Sequence, residues 1–406
     1  MPPLFSRHFN SREELSYQLT NPSDIFSVLL ILGGDVVWRA IAQLAGPPVT
    51  PIAFPFGWVA YVVSALLTAI GENRFMPALD NPCKVINGRT GYVRENNSFI
   101  LGRIMRDLEI WMDNRIKEHM RRMLEQRWEI SRHDGERPAQ RGCGEAVRKP
   151  VRGGLCVSIY HAGQAQSGHP GHDWLYFLGF ATALLQLGIA AIPCGLDGDW
   201  SILVVTAAGI ILSFTTASLR QWPKEKWACR HNSTKTVILT KGNGSQHAIV
   251  IIGDNKGLDI EDLATGPSAM DVSIPFSVTK IALLILAFLW VALLVVAAGV
   301  KQHSWFLLAI GAIRTLEDIF VAGSPRHPAA FGMPLNFENV IGEAKVMNTL
   351  FAVEQAYPRV GRSMLDTFFP GKLRPKERER WGEFERLADA MDQSLADQDD
   401  SRPMHA

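Results

Sequence analysis

The feature that most constrains this chain is the grouping of its apolar residues into long blocks. Six blocks reach or approach the roughly 20 residues that a helix needs to cross the hydrocarbon core of a bilayer. They run over 24–45, 52–71, 174–193, 200–219, 277–300 and 304–322. The fifth, centred on IALLILAFLWVALLVVAAGV, has the clearest signal, whereas the first and the sixth carry charged residues. The pattern predicts an all-α membrane protein, a bundle of about six transmembrane helices.

The overall charge argues against a nucleic-acid partner. The 41 Lys and Arg residues nearly equal the 40 Asp and Glu residues, and the formal net charge is +1. A nucleic-acid-binding domain would need a basic surface. The five cysteines stand at wide spacing without a CxxC pair, so we interpret them as reduced or structural. Residues 1–23 are polar and precede the first apolar block, so no cleavable signal peptide is expected.

The segments between the blocks differ in their basic residues. Lys and Arg are frequent in 72–173 and 220–276, whereas the turns 46–51 and 194–199 contain neither. Because positively charged flanks stay on the cytoplasmic side, both termini are predicted to be cytoplasmic, in a multi-pass protein of the endoplasmic reticulum. The predicted organisation is a tail (1–23), a hairpin (24–71), a loop (72–173), a hairpin (174–219), a loop (220–276), a hairpin (277–322) and a C-terminal region (323–406).

The predicted cytoplasmic segments contain local structure of their own. A helix with apolar and basic residues at helical spacing is expected over 98–129, either packed against the bundle or lying on the membrane surface. Two β-rich runs, 237–240 and 248–252, flank the turn KGNGSQ and predict a small hairpin. The last twenty residues are polar and acid-rich, and we expect them to be disordered.

The first apolar block contains a charged residue, Asp35, near its middle. Arg39 and Gln43 follow at i+4 and i+8, so the three side chains project from one helical face. Two interpretations are open. Asp35 and Arg39 pair and hold helices together, or Asp35 keeps its proton in an apolar environment and donates it as a general acid.

Further charged residues stand in or beside the second and sixth blocks. Arg314, Glu317 and Asp318 are spaced i, i+3 and i+4, so they can pair with one another or with the charges of the first helix. Glu72 and Arg74 close the second block. If the helices pack together, these carboxylates meet at one side of the bundle, although ordinary helix-end polarity explains Glu72 and Arg74 equally well.

Aromatic residues are dense near these charges, including Trp38, Trp58 and Tyr61. They suit the interfacial aromatic belt of a membrane protein, or a site whose ring faces stabilise a carbocation. His161, His169 and His172 approach the density of metal ligands, but no second pair stands at a recognised spacing, so we predict no metal site. GxSxG, P-loop and paired DDxxD motifs are also missing from the sequence.

Several short runs resemble a family of fungal integral membrane proteins that includes the ascofuranone-type membrane-bound terpene cyclases. The runs are GGDVV at 33–37, most of TPIAFPFGWV at 50–59, Asn73–Arg74, VAG at 321–323 with Pro325 and Arg326, and GRSML at 361–365 with FFPG at 368–371. The resemblance implies an enzyme that protonates an epoxide or alkene of a prenyl chain and closes a ring without a cofactor. Its substrate would be a lipophilic terpenoid or meroterpenoid of secondary metabolism.

This resemblance leads to assigned roles. The predicted catalytic residues are Asp35, Glu72 and Glu317. The predicted substrate-binding residues are Trp38, Arg39, Trp58, Tyr61 and Arg74. Two other functions stay open, a small-molecule transporter and a non-enzymatic scaffold that recruits other enzymes of a pathway to the membrane. A transporter would ordinarily show paired repeats or interrupted helices.

Overall fold

A computed structural model describes residues 34–54, 57–71, 75–135, 153–166, 173–266, 276–300 and 302–400. Its helices are α1 Gly34–Leu44, α2 Trp58–Gly71, α3 Phe99–Arg106, α4 Leu108–Trp111, α5 Asn114–Gly135, α6 Trp174–Asp197, α7 Ser201–Ala217, α8 Gln221–Lys226, α9 Ile260–Thr265, α10 Phe276–Gly299, α11 Ser304–Gly323, α12 Val346–Ala356, α13 Val360–Phe368 and α14 Pro375–Asp400. Its strands are β1 Lys84–Asn87, β2 Val93–Glu95, β3 Cys156–Ala162, β4 Thr236–Thr240, β5 His247–Ile252 and β6 Leu335–Gly342.

The chain divides into two compact units. The helical unit comprises Met1–Ala78, Ser167–Trp227 and Met270–Pro325, and it contains every predicted apolar block. The α/β unit comprises Leu79–Gln166, Ala228–Ala269 and Arg326–Ala406. The three polar segments, which the sequence suggested as separate loops and a C-terminal region, therefore fold together.

Three helices within the described residues are long and apolar enough to cross a membrane, namely Trp174–Asp197, the continuous span Ser201–Lys226 made by α7 and α8, and Val278–Gly299 of α10. The first has clear end signals. The Asp173 carboxylate accepts from the Tyr176 N–H as an N-cap, and Gly198 follows the helix in the left-handed conformation (φ 70°). In α10 only 17% of the most apolar window is buried, and Phe288 is 73% exposed. A helix that is apolar on every side is typical of a membrane span.

The α/β unit is built on a six-stranded sheet of order β2-β1-β4-β5-β3-β6, in which only β3 and β5 run parallel. The sheet contradicts the all-α prediction. Strand β3 has the sequence CVSIYHA and is buried on both faces, so it lacks the alternation of polar and apolar residues that identifies a half-buried strand. The predicted hairpin is present as the antiparallel pair β4–β5, although it forms the middle of a larger sheet.

Helices α12, α13 and α14 cover the sheet and close its apolar core. Val157, Val250 and Leu350 are fully buried there, and Trp381 packs against Phe351 at 4.9 Å between ring centroids. Helix α14 covers most of the segment that the sequence predicted to be disordered, and Ala388 of this segment is buried. Residues 401–406 lie outside the described residues.

Two predicted helices differ in their bounds. The second apolar block becomes helical only at Trp58, because Pro55 lacks a backbone N–H and disfavours helical geometry in the residue before it. The helix expected over 98–129 is divided into α3, α4 and α5. One division falls at Asp107, whose carboxylate accepts from the Arg326 N–H at 3.2 Å, and the other before Asn114.

Candidate functional site

Asp35, the first predicted acid, lies in the first turn of α1 and pairs with Arg39. Its Oδ2 is 3.1 Å from the Arg39 Nε, and the two side chains are 68% and 41% exposed. The ion pair of the first interpretation is therefore formed. The local burial that would desolvate the Asp35 carboxyl is not present among the described residues.

A fully buried ionic cluster lies on α11, made by Arg314, Glu317 and Asp318. Arg314 Nη1 is 2.5 Å from Glu317 Oε2, and Arg314 Nη2 is 2.5 Å from Asp318 Oδ1. The three side chains are 0%, 5% and 1% exposed. They belong to the buried face of α11, the helix that packs against α1 and α6. Of the two pairings that the sequence allowed, pairing within the cluster is the one found.

The cluster has more acceptors than its guanidinium occupies. One Arg faces two carboxylates, so with all three groups ionised the cluster carries a net charge of −1. Glu317 Oε1 and Asp318 Oδ2 are buried without a hydrogen-bond donor among the described residues, and the Arg314 Nε is buried there without an acceptor. An isolated buried charge is costly, so binding one proton or a polar ligand would neutralise or satisfy these oxygens. Glu317 is the predicted catalytic residue that this geometry suits best.

The aromatic residues of the helical unit form a buried stack. The Trp58 and Trp290 rings are parallel (4°) with centroids 5.3 Å apart, and Phe54 lies on the stack 6.0 Å from Trp290. Tyr61 meets Trp58 edge to face at 5.2 Å. The sequence predicts Trp58 and Tyr61 as binding residues but not Trp290, whose only signal is a lone indole in the middle of the most apolar block.

An extended segment, residues 50–54, enters the helical unit and is buried at every position. The Gln186 side chain of α6 pairs with its backbone, because Oε1 accepts from the Phe54 N–H at 3.2 Å and Nε2 donates to the Phe54 carbonyl at 2.8 Å. Gly179 and Gly209 face Pro51 and Phe54 so closely that any larger residue would collide with them. Glycine at these positions of α6 and α7 therefore leaves room for the non-helical backbone of residues 50–54.

Trp38, a further predicted binding residue, contacts the chain that follows α2. Trp38 of α1 donates its indole N–H to the Phe75 carbonyl, and the Glu225 carboxylate of α8 accepts from the Phe75 N–H at 2.6 Å and the Met76 N–H at 3.0 Å. Glu72 and Arg74 lie outside the described residues. Trp38 therefore has a structural contact, and its predicted role in binding stays a prediction.

The α/β unit holds one histidine between two carboxylates. His161 at the end of β3 contacts Asp254 through Nδ1 and Glu338 through Nε2, the latter at 2.9 Å. The hydrogen bond to Asp254 raises the pKa of His161 above its ordinary value, and the charges of Asp254 and Glu338 add to the effect. His169 and His172 lie outside the described residues, and no group of three or more His, Cys, Asp or Glu side chains in the described part of the chain is arranged to hold a metal ion.

Comparison with family models, with curated proteins and with solved structures gives no match for this chain. The class of protein is therefore defined by the fold alone. Within the described residues, a unit with three apolar, membrane-length helices is combined with an α/β unit on a mixed sheet. The features of the helical unit that could carry chemistry are the buried ionic cluster on α11 and the aromatic stack around Trp290.

Proposed function

We propose that this chain is a multi-pass membrane protein whose helical unit lies in the bilayer. Helix α6 has 24 residues and is about 36 Å long, enough for a hydrocarbon core of about 30 Å. Exposed side chains on the apolar helices include Leu184 (70%), Leu196 (77%) and Phe288 (73%). An apolar surface of this kind needs an apolar solvent.

The order of helices and strands along the chain supports a position in the bilayer for α11 as well, although this helix contains charged residues. Strand β3 precedes α6, strand β5 follows α8, and strand β6 follows α11, yet β3 pairs with both β5 and β6. The chain must therefore return to one side of the membrane after α6–α8 and again after α10–α11. If α10 crosses, α11 crosses as well, and Arg314 with its two carboxylates lies within the membrane-embedded unit.

Within this unit we propose acid-catalysed cyclisation of a lipophilic prenyl chain. The buried Arg314–Glu317–Asp318 cluster carries the proposal, because it can hold one proton away from water. That proton would pass to an epoxide oxygen or an alkene carbon of the substrate. A double bond or hydroxyl of the same molecule would then attack the cation, and a proton lost from the product would restore the cluster, so the reaction is an isomerisation that needs no cofactor.

The aromatic residues would stabilise the positive charge. Ring faces attract a cation through their quadrupole, and Trp58, Tyr61 and Trp290 are buried together. Exclusion of water by the surrounding helices would protect the cation from capture. Asp35 is a less suitable donor than Glu317 because its side chain is 68% exposed.

A transporter is the second candidate, favoured by one observation. The non-helical residues 50–54 are buried among the helices and bonded to Gln186, which is the kind of interrupted backbone found at transporter binding sites. A buried ionic cluster is expected in a transporter as well. The two candidates differ in whether the substrate leaves chemically changed.

The test uses microsomes that contain the protein and a panel of prenylated phenols and terpenoids, with and without a terminal epoxide. A product of unchanged mass and new retention time is expected from the native chain and the Asp197→Asn variant, whose carboxylate is exposed at the end of α6. Glu317→Gln and Asp318→Asn should lower turnover at least about 100-fold, the lower range for a general acid. Conversion that is equal in all four proteins would contradict the assigned role of the cluster.

A further inference from the structure

The stretch of chain that connects α1 to the α/β unit contacts the short helix α8 at both of its ends. Lys226 of α8 donates from Nζ to the Gln43 and Ala45 carbonyls at 3.1 and 2.8 Å, which caps the end of α1. The neighbouring residue, Glu225, accepts from the backbone N–H groups of Phe75 and Met76. Ala45 and Phe75 therefore both lie beside α8, although 29 residues of chain separate them.

Between these points the chain descends into the helical unit. The Thr50 N–H donates to Ser218 Oγ at 3.2 Å, eight residues before Lys226. Phe54 is bonded to Gln186, near the middle of α6, and lies against Gly209, near the middle of α7. Gln186 Nε2 also donates to the Ile310 carbonyl of α11, so Phe54 marks the deepest contact of this stretch.

The return is made by α2 alone. It begins beside Phe54, where Trp58 stacks on Trp290 in the middle of α10. Its 14 residues extend about 21 Å, shorter than a hydrocarbon core of about 30 Å. A helix of this length that starts near mid-depth reaches one membrane face, the face at which Phe75 contacts Glu225.

Given the membrane placement proposed above, we propose that residues 46–54 and 57–71 form the two arms of a re-entrant hairpin, which enters and leaves the membrane on the side where the chain continues into the α/β unit. Non-helical backbone inside a membrane must be satisfied by protein, and Gln186 satisfies both backbone groups of Phe54. The turn 46–51 was predicted to lie on the side opposite the cytoplasmic loops. Its contacts through Val49 and Thr50 are instead with Tyr176 at the start of α6 and Ser218 after the end of α7.

The direction of α1 gives a second consequence. Its C-terminal end is at α8 and at the end of α11, where Gln43 donates to the Ser324 carbonyl at 3.0 Å. Its N-terminal residue, Gly34, packs on Ala60 and Tyr61, in the deep first turn of α2. Within the described residues, α1 therefore runs from the first turn of α2 toward α8, antiparallel to α2.

The test compares single cysteines in a chain whose five native cysteines are replaced by serine. Val49→Cys (45% exposed in the native residue) probes the turn 46–51, and Trp200→Cys (63% exposed) probes the turn between α6 and α7. Lys241→Cys, at an exposed position, probes the α/β unit. Sealed microsomes are treated with a membrane-impermeant maleimide before and after permeabilisation. Val49→Cys should label together with Lys241→Cys and on the opposite side from Trp200→Cys. Labelling of Val49→Cys on the side of Trp200→Cys would overturn the proposal.

A second measurement retains the native cysteines, so it does not depend on folding of the substituted chain. Epitope tags inserted in the turns 46–49 and 198–200 of separate chains are tested for protection from protease in the same sealed microsomes. The re-entrant hairpin predicts that only one of the two tags is protected, whereas a simple crossing hairpin leaves both tags on one side. Neither measurement depends on the proposed chemistry, so the topology can fail while the cyclase proposal stands, and the reverse.

Discussion

The two units place the same residue types in opposite positions. In the α/β unit Val157 and Leu350 are fully buried beneath α12, α13 and α14. In the helical unit Phe288 and Val295 of α10 are 73% and 67% exposed. A soluble surface rarely carries so many contiguous apolar side chains, so the two units are adapted to different solvents.

Polar residues that are buried in the helical unit have internal partners. The helical unit buries Gln186, Lys226 and Arg314, each tied to backbone or to a carboxylate. The α/β unit has both kinds of ion pair, since Arg103 and Asp80 are 1% and 13% exposed whereas Arg359 and Asp389 are 30% and 58% exposed. Where water is excluded, each polar group needs an internal partner. The comparison predicts that equal substitutions have unequal effects in the two units.

The largest effect is expected from Arg314→Met. It leaves Glu317 and Asp318 buried without their cation, which typically destabilises a protein by about 3–5 kcal/mol. Arg89→Met is the matched control, because it breaks an ion pair with Asp392 on the surface of the α/β unit, where the side chains are 75% and 38% exposed, and should cost at most about 1 kcal/mol. The measurement is unfolding of the purified protein in detergent. Equal losses in the two variants would mean that the cluster is not shielded from water.

An intermediate effect is expected from a lysine on an exposed apolar helix position. Phe288→Lys puts a charge at the middle of α10, and membrane insertion of such a residue costs about 2.5–3.5 kcal/mol. Leu387→Lys makes a comparable change on α14, where the native side chain is 59% exposed, and should alter stability by less than about 0.5 kcal/mol. The membrane-integrated fraction of each variant is measured. If Phe288→Lys integrates as well as the native chain, α10 is not lipid-facing.

The smallest effect is a pH dependence within the α/β unit. The pKa of His161 is raised by its hydrogen bond to Asp254, so protonated His161 stabilises the folded state. Its contribution is complete below the ordinary pKa near 6.5 and is lost as pH rises through the folded-state value. The Tm difference between the native chain and His161→Gln should therefore be larger at pH 5.5 than at pH 8.5. A difference that is constant across this range would contradict a charged His161.

The apolar helices were the predictable part of the fold, because a helix that crosses a membrane needs a long run of apolar residues and such a run is visible in the sequence. The sheet was not, because β3 is separated from β5 by more than 80 residues and by α6–α8, and its pairing depends on contacts that no local pattern encodes. The short strands β1 and β2 carry little signal of their own.

The candidate site was predictable only in part. The spacing of Arg314, Glu317 and Asp318 indicated their mutual pairing, whereas the exposure of Asp35 depends on tertiary packing. Residues 50–54 did contain a usable signal, because Pro51 and Pro55 are incompatible with a continuous helix. Gln186 had no comparable signal, since a single amide in an apolar block does not reveal the backbone it binds.

The central claim is that the helical unit is embedded in a bilayer, and alkaline carbonate extraction tests it most directly. Membranes that contain the full chain are washed at high pH, which removes peripheral proteins and leaves integral ones. The chain is expected to stay in the membrane pellet and to be released only by detergent. Its recovery in the carbonate supernatant as a folded protein would contradict the account.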